Sequence, residues 1–298
     1  MLSSSLIALS LALGLAPADE THTIKVKKPA KGDVFKVEEQ EESENKTVVT
    51  IAGKEVPNQP GMGKEGKSEI YVETILEKPE KAARPTSLKR KYEKARFTKD
   101  GKEGTRGYEG KTVLVEKKGD KFQFHFEDGK ELSGADAEVL DKEFNKKDGP
   151  SNEDLENLML PDKPVKVGET WKIDAAKFFK DFPKESGLGG KGSKASGKLL
   201  EVYEKGGRKF GKMDIEFESP ITKLGDDPKV KFNIAEGAKL KMIFHVDACI
   251  DGASSNATMK METSMDVEAT FDAAGMEGKM IMHVKGLMTA KGTEQPKK

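Results

Sequence analysis

Met-x-Met occurs twice in the C-terminal third of the chain, as Met259/Met261 and Met280/Met282. Thioether sulfur is a soft donor, and two methionines one residue apart on a strand aim both sulfurs the same way. That arrangement suits Cu(I). Methionine also fills irregular apolar cores, and here it takes slots shared with Val and Phe. A packed core or the lining of an apolar ligand cavity is therefore the leading reading, with copper as the alternative. The four histidines carry less. His22, His125, His245 and His283 are dispersed and none stands in His-x-x-x-His spacing. His245 and Asp247 share a strand face and read as a surface pair. Cys249 is the only cysteine, which rules out an internal disulfide, and no partner base is evident for it. Gly187–Gly192 spells GxGxxG with no strand leading in and no helix leading out. Gly192–Lys198 resembles a phosphate-binding loop until Leu199 takes the place of the Mg²⁺-binding hydroxyl. Both read as a flexible loop. There is no Gly-x-Ser-x-Gly elbow. Carboxylates are abundant without one pair standing out, and low aromatic content argues against a sugar cleft. No catalytic residue, cofactor or metal site is assigned, and the chain is read as non-enzymatic.

The elements that would carry the methionines are antiparallel strands, expected over Lys198–Tyr203, Arg208–Glu218, Lys239–Ile250, Asn256–Phe271 and Glu277–Met288. Their alternation is clean. Met259, Met261, Thr263, Met265, Val267, Ala269 and Phe271 fall on one side, with Lys260, Glu262, Ser264, Asp266, Glu268 and Thr270 on the other. Met242, Phe244 and Val246 repeat the pattern, as do Met280, Met282 and Val284. Strands that are wet on one face and apolar on the other need a covering layer, or must curl around something. Met242, Phe244, Met261, Met265, Met280 and Met282 are the expected lining of such a cavity. The N-terminal half reads the same way. Strands are expected at Val34–Glu38, Lys46–Ile51, Glu69–Leu76, Ser87–Thr98, Gly110–Lys117 and Lys121–Glu127. The acidic cluster Glu38–Glu44 and a Gly/Pro loop over 52–67 separate the first of them. Phe122, Phe124 and Phe126 share a face.

The middle of the chain changes period. Ser133 is placed to cap a helix whose stripe is Ala137, Leu140 and Phe144. Ser151-Asn152-Glu153-Asp154 resembles a capping box opening a short helix through Met159. Asp174 caps an expected helix over Ala175–Phe182, and Ser186–Gly197 reads as a linker. The expected fold class is α+β and mostly antiparallel β, a long curved sheet or half-barrel with a few short helices mid-chain.

Two stretches echo one another. Lys28-Pro29-Ala30-Lys31-Gly32-Asp33-Val34-Phe35-Lys36-Val37 matches Lys163–Ile173 if one inserted residue, Val167, is allowed. The second copy holds the only tryptophan, Trp171. Pro164 stiffens an extended approach, Gly168 permits a tight turn, and Trp171 opens a strand as a large buried anchor. Phe35 takes the same part in the first copy. Each copy opens about half of the chain, so two related β-rich halves are expected, 19–150 and 151–298, with one shared sheet as an arrangement open to them.

The segment Leu160–Trp171 resembles a signature of exported bacterial proteins common in planctomycetes and Bacteroidetes. These carry a Pro-x-x-Pro-Val-x-x-Gly-[Asp/Glu]-x-Trp stretch between two β-rich halves. The resemblance implies an exported protein and is silent on activity. Long strands with one apolar face also resemble the half-barrel of periplasmic lipoprotein carriers of the LolA and LppX kind, a likeness of fold alone.

Leu2–Leu15 is an apolar run too short to span a bilayer, and Ala16-Pro17-Ala18 follows it. This reads as a signal peptide over 1–18, although no Lys or Arg precedes the run. Asp19 stands where a lipid-anchored protein would need cysteine. Export without disulfides points to a bacterial periplasm or cell exterior. The 52 basic and 52 acidic residues cancel, which argues against nucleic acid and polybasic membrane binding. No second apolar segment reaches membrane length. The reading is an exported, soluble, non-enzymatic protein that binds an apolar or lipid-like ligand. The competing reading is a structural or interaction protein with a fully packed methionine-rich core.

Overall fold

Alternation at period two dictates long strands, and long strands with one apolar face associate edge to edge. The computed structural model describes residues 20–57, 63–80, 82, 84–145, 158–180, 182, 187–225, 230–273 and 275–297. The expected signal segment and most of the helix expected up to Met159 lie outside these. The described residues form mostly antiparallel β-structure in a large curved sheet that does not close into a barrel.

In the first half, β1 (Thr21–His22) is followed by β2 (Val34–Ile51), β3 (Lys54–Glu55), β4 (Gly63–Glu77), β5 (Ser87–Lys99), β6 (Lys102–Thr105), β7 (Thr112–Lys118) and β8 (Lys121–Phe126). Helix α1 (Gly134–Phe144) follows. The second half runs β9 (Val165–Lys166), β10 (Thr170–Lys172), α2 (Ala175–Phe179), β11 (Lys194–Lys205), β12 (Arg208–Pro220), β13 (Val230–Ile234), β14 (Lys239–Cys249), β15 (Ala257–Ala273) and β16 (Met276–Gln295). Among the described residues one sheet has fourteen strands, in the order β10-β11-β12-β14-β15-β16-β2-β4-β5-β7-β8, with β13, β3 and β6 pairing β15, β2 and β5. The last strand therefore pairs with the first long one, Gln295 facing Val34.

Both helices cover the same face. Phe178 of α2 stacks on Phe217 of β12 at 3.8 Å between ring centroids, within a core that includes Ile215, Met242, Phe244 and Val267. This is the second core, that of the second half of the chain; Leu140 of α1 packs into the first core, with Tyr71, Tyr92, Val113 and Phe124. One row across that face runs Trp171, Gly197, Ile215, Phe244, Met261, Met288, and then meets Glu41 and Lys67. The adjoining row ends in Glu39 and Glu69. Lys67 pairs with Glu39 at 2.8 Å and with Glu69 at 3.9 Å, and Tyr108 donates to Glu69 at 2.9 Å. This charged belt divides what would otherwise be one apolar face into two cores.

The acidic cluster was expected to separate two strands, yet β2 runs through it as one strand of 18 residues. Alternation sends its carboxylates to both faces, where Glu38 finds Lys291 at 3.7 Å and Glu39 finds Lys67. Strand pairing on both sides satisfies the backbone. The loop expected over 52–67 is shorter, because β4 begins at Gly63. The linker expected over 186–197 likewise ends early, and β11 begins at Lys194. Helix α2 stops at Phe179 rather than Phe182, while Asp174 caps it as expected by accepting from the Lys177 N–H at 3.1 Å. Ser133 sits at the N-cap of α1 without a side-chain cap bond. At the other end of α1, Asn145 accepts from the Phe122 N–H at 2.7 Å and donates to its carbonyl at 2.9 Å, which blocks the exposed edge of β8.

The two echoing segments fold alike. Gly32 and Gly168 have φ of +83° and +86°. In each copy the acidic residue donates its N–H back three positions, Asp33 to Ala30 and Glu169 to Lys166, both at 3.0 Å. Its carboxylate accepts the N–H of that same residue, both at 2.8 Å. Each glycine N–H donates to the next strand, to Ile75 at 2.8 Å and Leu199 at 2.7 Å, and a register shift follows both of those residues. Phe35 and Trp171 are both 8% exposed. A Cβ at either glycine would touch nothing within 4 Å, so only backbone strain opposes substitution. Gly32→Ala and Gly168→Ala should each cost about 1–2 kcal/mol in urea unfolding, and by similar amounts. A large inequality would show that the two turns are not equivalent.

Candidate functional site

Apart from the exposed Met276, the methionines of β14, β15 and β16 lie on the helix-covered face, as alternation requires, but at two depths. Met242 and Phe244 are 7% and 8% exposed and belong to the second core. Met259, Met261, Met265 and Met282 are half-buried against that core, and Met280 and Met288 are half-buried beyond it. Val284 and Val49 continue the strip onto β16 and β2. The result is an apolar strip on three adjacent strands, closed on one side by the second core and on the other by the charged belt.

The register keeps the two Met-x-Met pairs apart. Met261 faces Met288, and Met282 faces Val267, six positions further along β15. At about 3.4 Å per residue the pairs stand roughly 20 Å apart, so they do not meet in one four-sulfur site.

The motif residues act on the architecture. Pro164 precedes β9, Gly168 makes the turn, and Trp171 lies over Gly197 with its Nε1–H donating to the Met159 carbonyl at 2.8 Å. A Cβ on Gly197 would come within 2.2 Å of the indole, so the glycine is required by the close approach. Gly197 thus lies in the ladder under Trp171 and not in the linker that the sequence predicts over Ser186–Gly197.

The opposite face is polar. A groove of about 700 Å³ crosses it over a row that includes Lys212, Asp247, Thr258, Lys291, Glu38 and Ile70. His245 meets Asp214 at 2.7 Å rather than Asp247, because the neighbouring strand brings Asp214 directly opposite. Asp247 instead accepts from the Tyr203 hydroxyl with both oxygens, at 2.7 and 2.9 Å. Burial, followed by that hydrogen bond, pushes the Tyr203 phenol up to about 12. Lys212 pairs with Glu201 at 2.6 Å and Lys291 with Glu38. Most charges of this groove are thus paired with their own neighbours, as on an ordinary solvated sheet face. Among the described residues no group of three or more His, Cys, Asp or Glu is placed to hold a metal ion.

Two features were not legible in the sequence. Arg90, in the first core, is 7% exposed and bonds Glu73 at 2.6 Å and Glu143 at 2.7 Å. Its guanidinium stands over the rings of Tyr71 and Phe144, at 4.4 and 4.9 Å. The N-terminal segment is the second. His22 pairs through β1 with Val165 of β9, and Ile24 is buried in the second core. Cys249 is buried and donates to Asp251 at 3.0 Å.

No protein-family model matches this chain, and no curated protein matches it. No helix among the described residues is long and apolar enough to cross a membrane.

Proposed function

We propose that this is an exported, non-catalytic protein of the family signalled by the 160–171 motif, and that it carries an apolar, lipid-like ligand on the methionine strip. The carrying observation is the half-exposure of Met261, Met265, Met280 and Met282 on adjacent strands. A contiguous apolar surface left partly open is characteristic of interaction sites. Methionine suits such a surface because it is flexible and polarizable and adapts to ligands of irregular shape. Met242 and Phe244 serve this reading as the packed floor behind the strip. The strip receives an acyl or similar chain by contact and burial, without any covalent step.

Native mass spectrometry of the protein from its own host tests this directly. The expected spectrum contains an apolar adduct that is lost in the variant Met261→Glu/Met282→Glu. A bare mass for the wild type, with the variant equally folded and indistinguishable in binding, overturns the reading. It would leave the alternative, a structural protein whose methionine face is simply packed.

A further inference from the structure

A second groove on the helix-covered face differs from every other concavity described in the balance of its charges. It has a volume of about 510 Å³ and lies between the start of β2, the β4–β5 connection and the end of α1. That size is within the range of small-ligand sites. Its floor is Phe35, Ile75 and Leu88, all buried, and its walls include Val37, Phe122 and Phe144. Two carboxylates, Glu73 and Glu143, reach it, and both are bonded to Arg90. Lys78 and Arg84 also line it, and neither has a carboxylate partner among the described residues. What sets the groove apart is the placement of two cations without carboxylate partners beside an apolar cleft with a buried aromatic and aliphatic floor.

We propose that this groove binds a single-chain amphiphile with an anionic head, carboxylate or phosphate. The chain lies against Phe35, Val37 and Phe144, and the head meets Lys78 and Arg84. Apolar burial provides the affinity. The cations select for the head, since a hydrogen bond to a charged group is stronger than a neutral one. The groove is separate from the methionine strip, with the charged belt between them, and the two sites can be tested independently.

The test is a fluorescence titration of the full chain with cis-parinaric acid, followed by competition. Hexadecanoate and a lysophosphatidate are expected to displace the probe, whereas 1-hexadecanol and inorganic phosphate are not. Competition by only one of the two anions fixes the head group as carboxylate or phosphate, and either result supports the site. Reversing the cations in Lys78→Glu/Arg84→Glu should weaken binding by about tenfold or more while the melting temperature holds. Val37→Trp should fill the cleft and abolish binding. The proposal is overturned if the alcohol competes as well as the acid, if the charge-reversed variant binds like wild type, or if the wild type shows no saturable binding. Probe binding lost in Met261→Glu but intact in Lys78→Glu/Arg84→Glu would place the ligand on the strip, overturning the groove while leaving the strip reading standing.

Discussion

Trp171→Ala is expected to lower stability by about 3–5 kcal/mol, the usual cost of deleting a buried aromatic side chain. Three losses combine. The indole is 8% exposed and anchors the edge of the second core, its N–H satisfies the Met159 carbonyl, and its ring covers the backbone at Gly197. Far-UV circular dichroism in urea is the suitable measurement, because the variant lacks the only tryptophan. Trp171→Phe should recover much of the loss, since it refills most of the space and forfeits only the hydrogen bond. Gly197→Ala approaches the same contact from below and should shift the indole fluorescence to the red as the ring is displaced. Wild-type stability in Trp171→Ala would mean that the second core does not depend on its motif strand.

Arg90→Met should cost about 3 kcal/mol or more, because removing one member of a buried ionic network strands the others. Glu73 is the sensitive partner, with its side chain 16% exposed, whereas Glu143 at 37% can regain water. Arg90→Lys should rescue only part of this. An ammonium is a point charge that cannot bond both carboxylates in a planar fork while lying between Tyr71 and Phe144. Urea midpoints for the three proteins, at constant slope, decide the matter. Equal midpoints for Arg90→Met and wild type would show the network to be energetically neutral.

The C-terminal strands were readable because each obeys a single rule. In β15 every second residue from Met259 to Phe271 is apolar or small and faces the core, and a slip of one residue would invert the whole set. The acidic run of β2 broke that rule. Its stability as a strand comes from Lys67 and Lys291 on neighbouring strands, which no local pattern discloses. The pairing of β16 with β2 was invisible for the same reason, as was the burial of Ile24 in a core built from residues far along the chain. The echo around Gly32 and Gly168 was legible because a left-handed turn followed by an aromatic anchor has a compact sequence signature. Arg90 left no such trace: its partners Glu73 and Glu143 come from a different strand and from a helix.

The seam between β2 and β16 has a bearing on when the sheet can be completed. During synthesis, at roughly 5–20 residues per second, β2 is made well before β16. One edge of β2 must therefore wait, unpaired, until β16 emerges. Pairing over so long a sequence separation is slow because the loop must close before the contact rewards it. A nascent chain built this way resists premature folding, and its acidic, charge-alternating open edge resists pairing with other chains in the meantime. The sheet of such a polypeptide stays open along this seam until β16 is released.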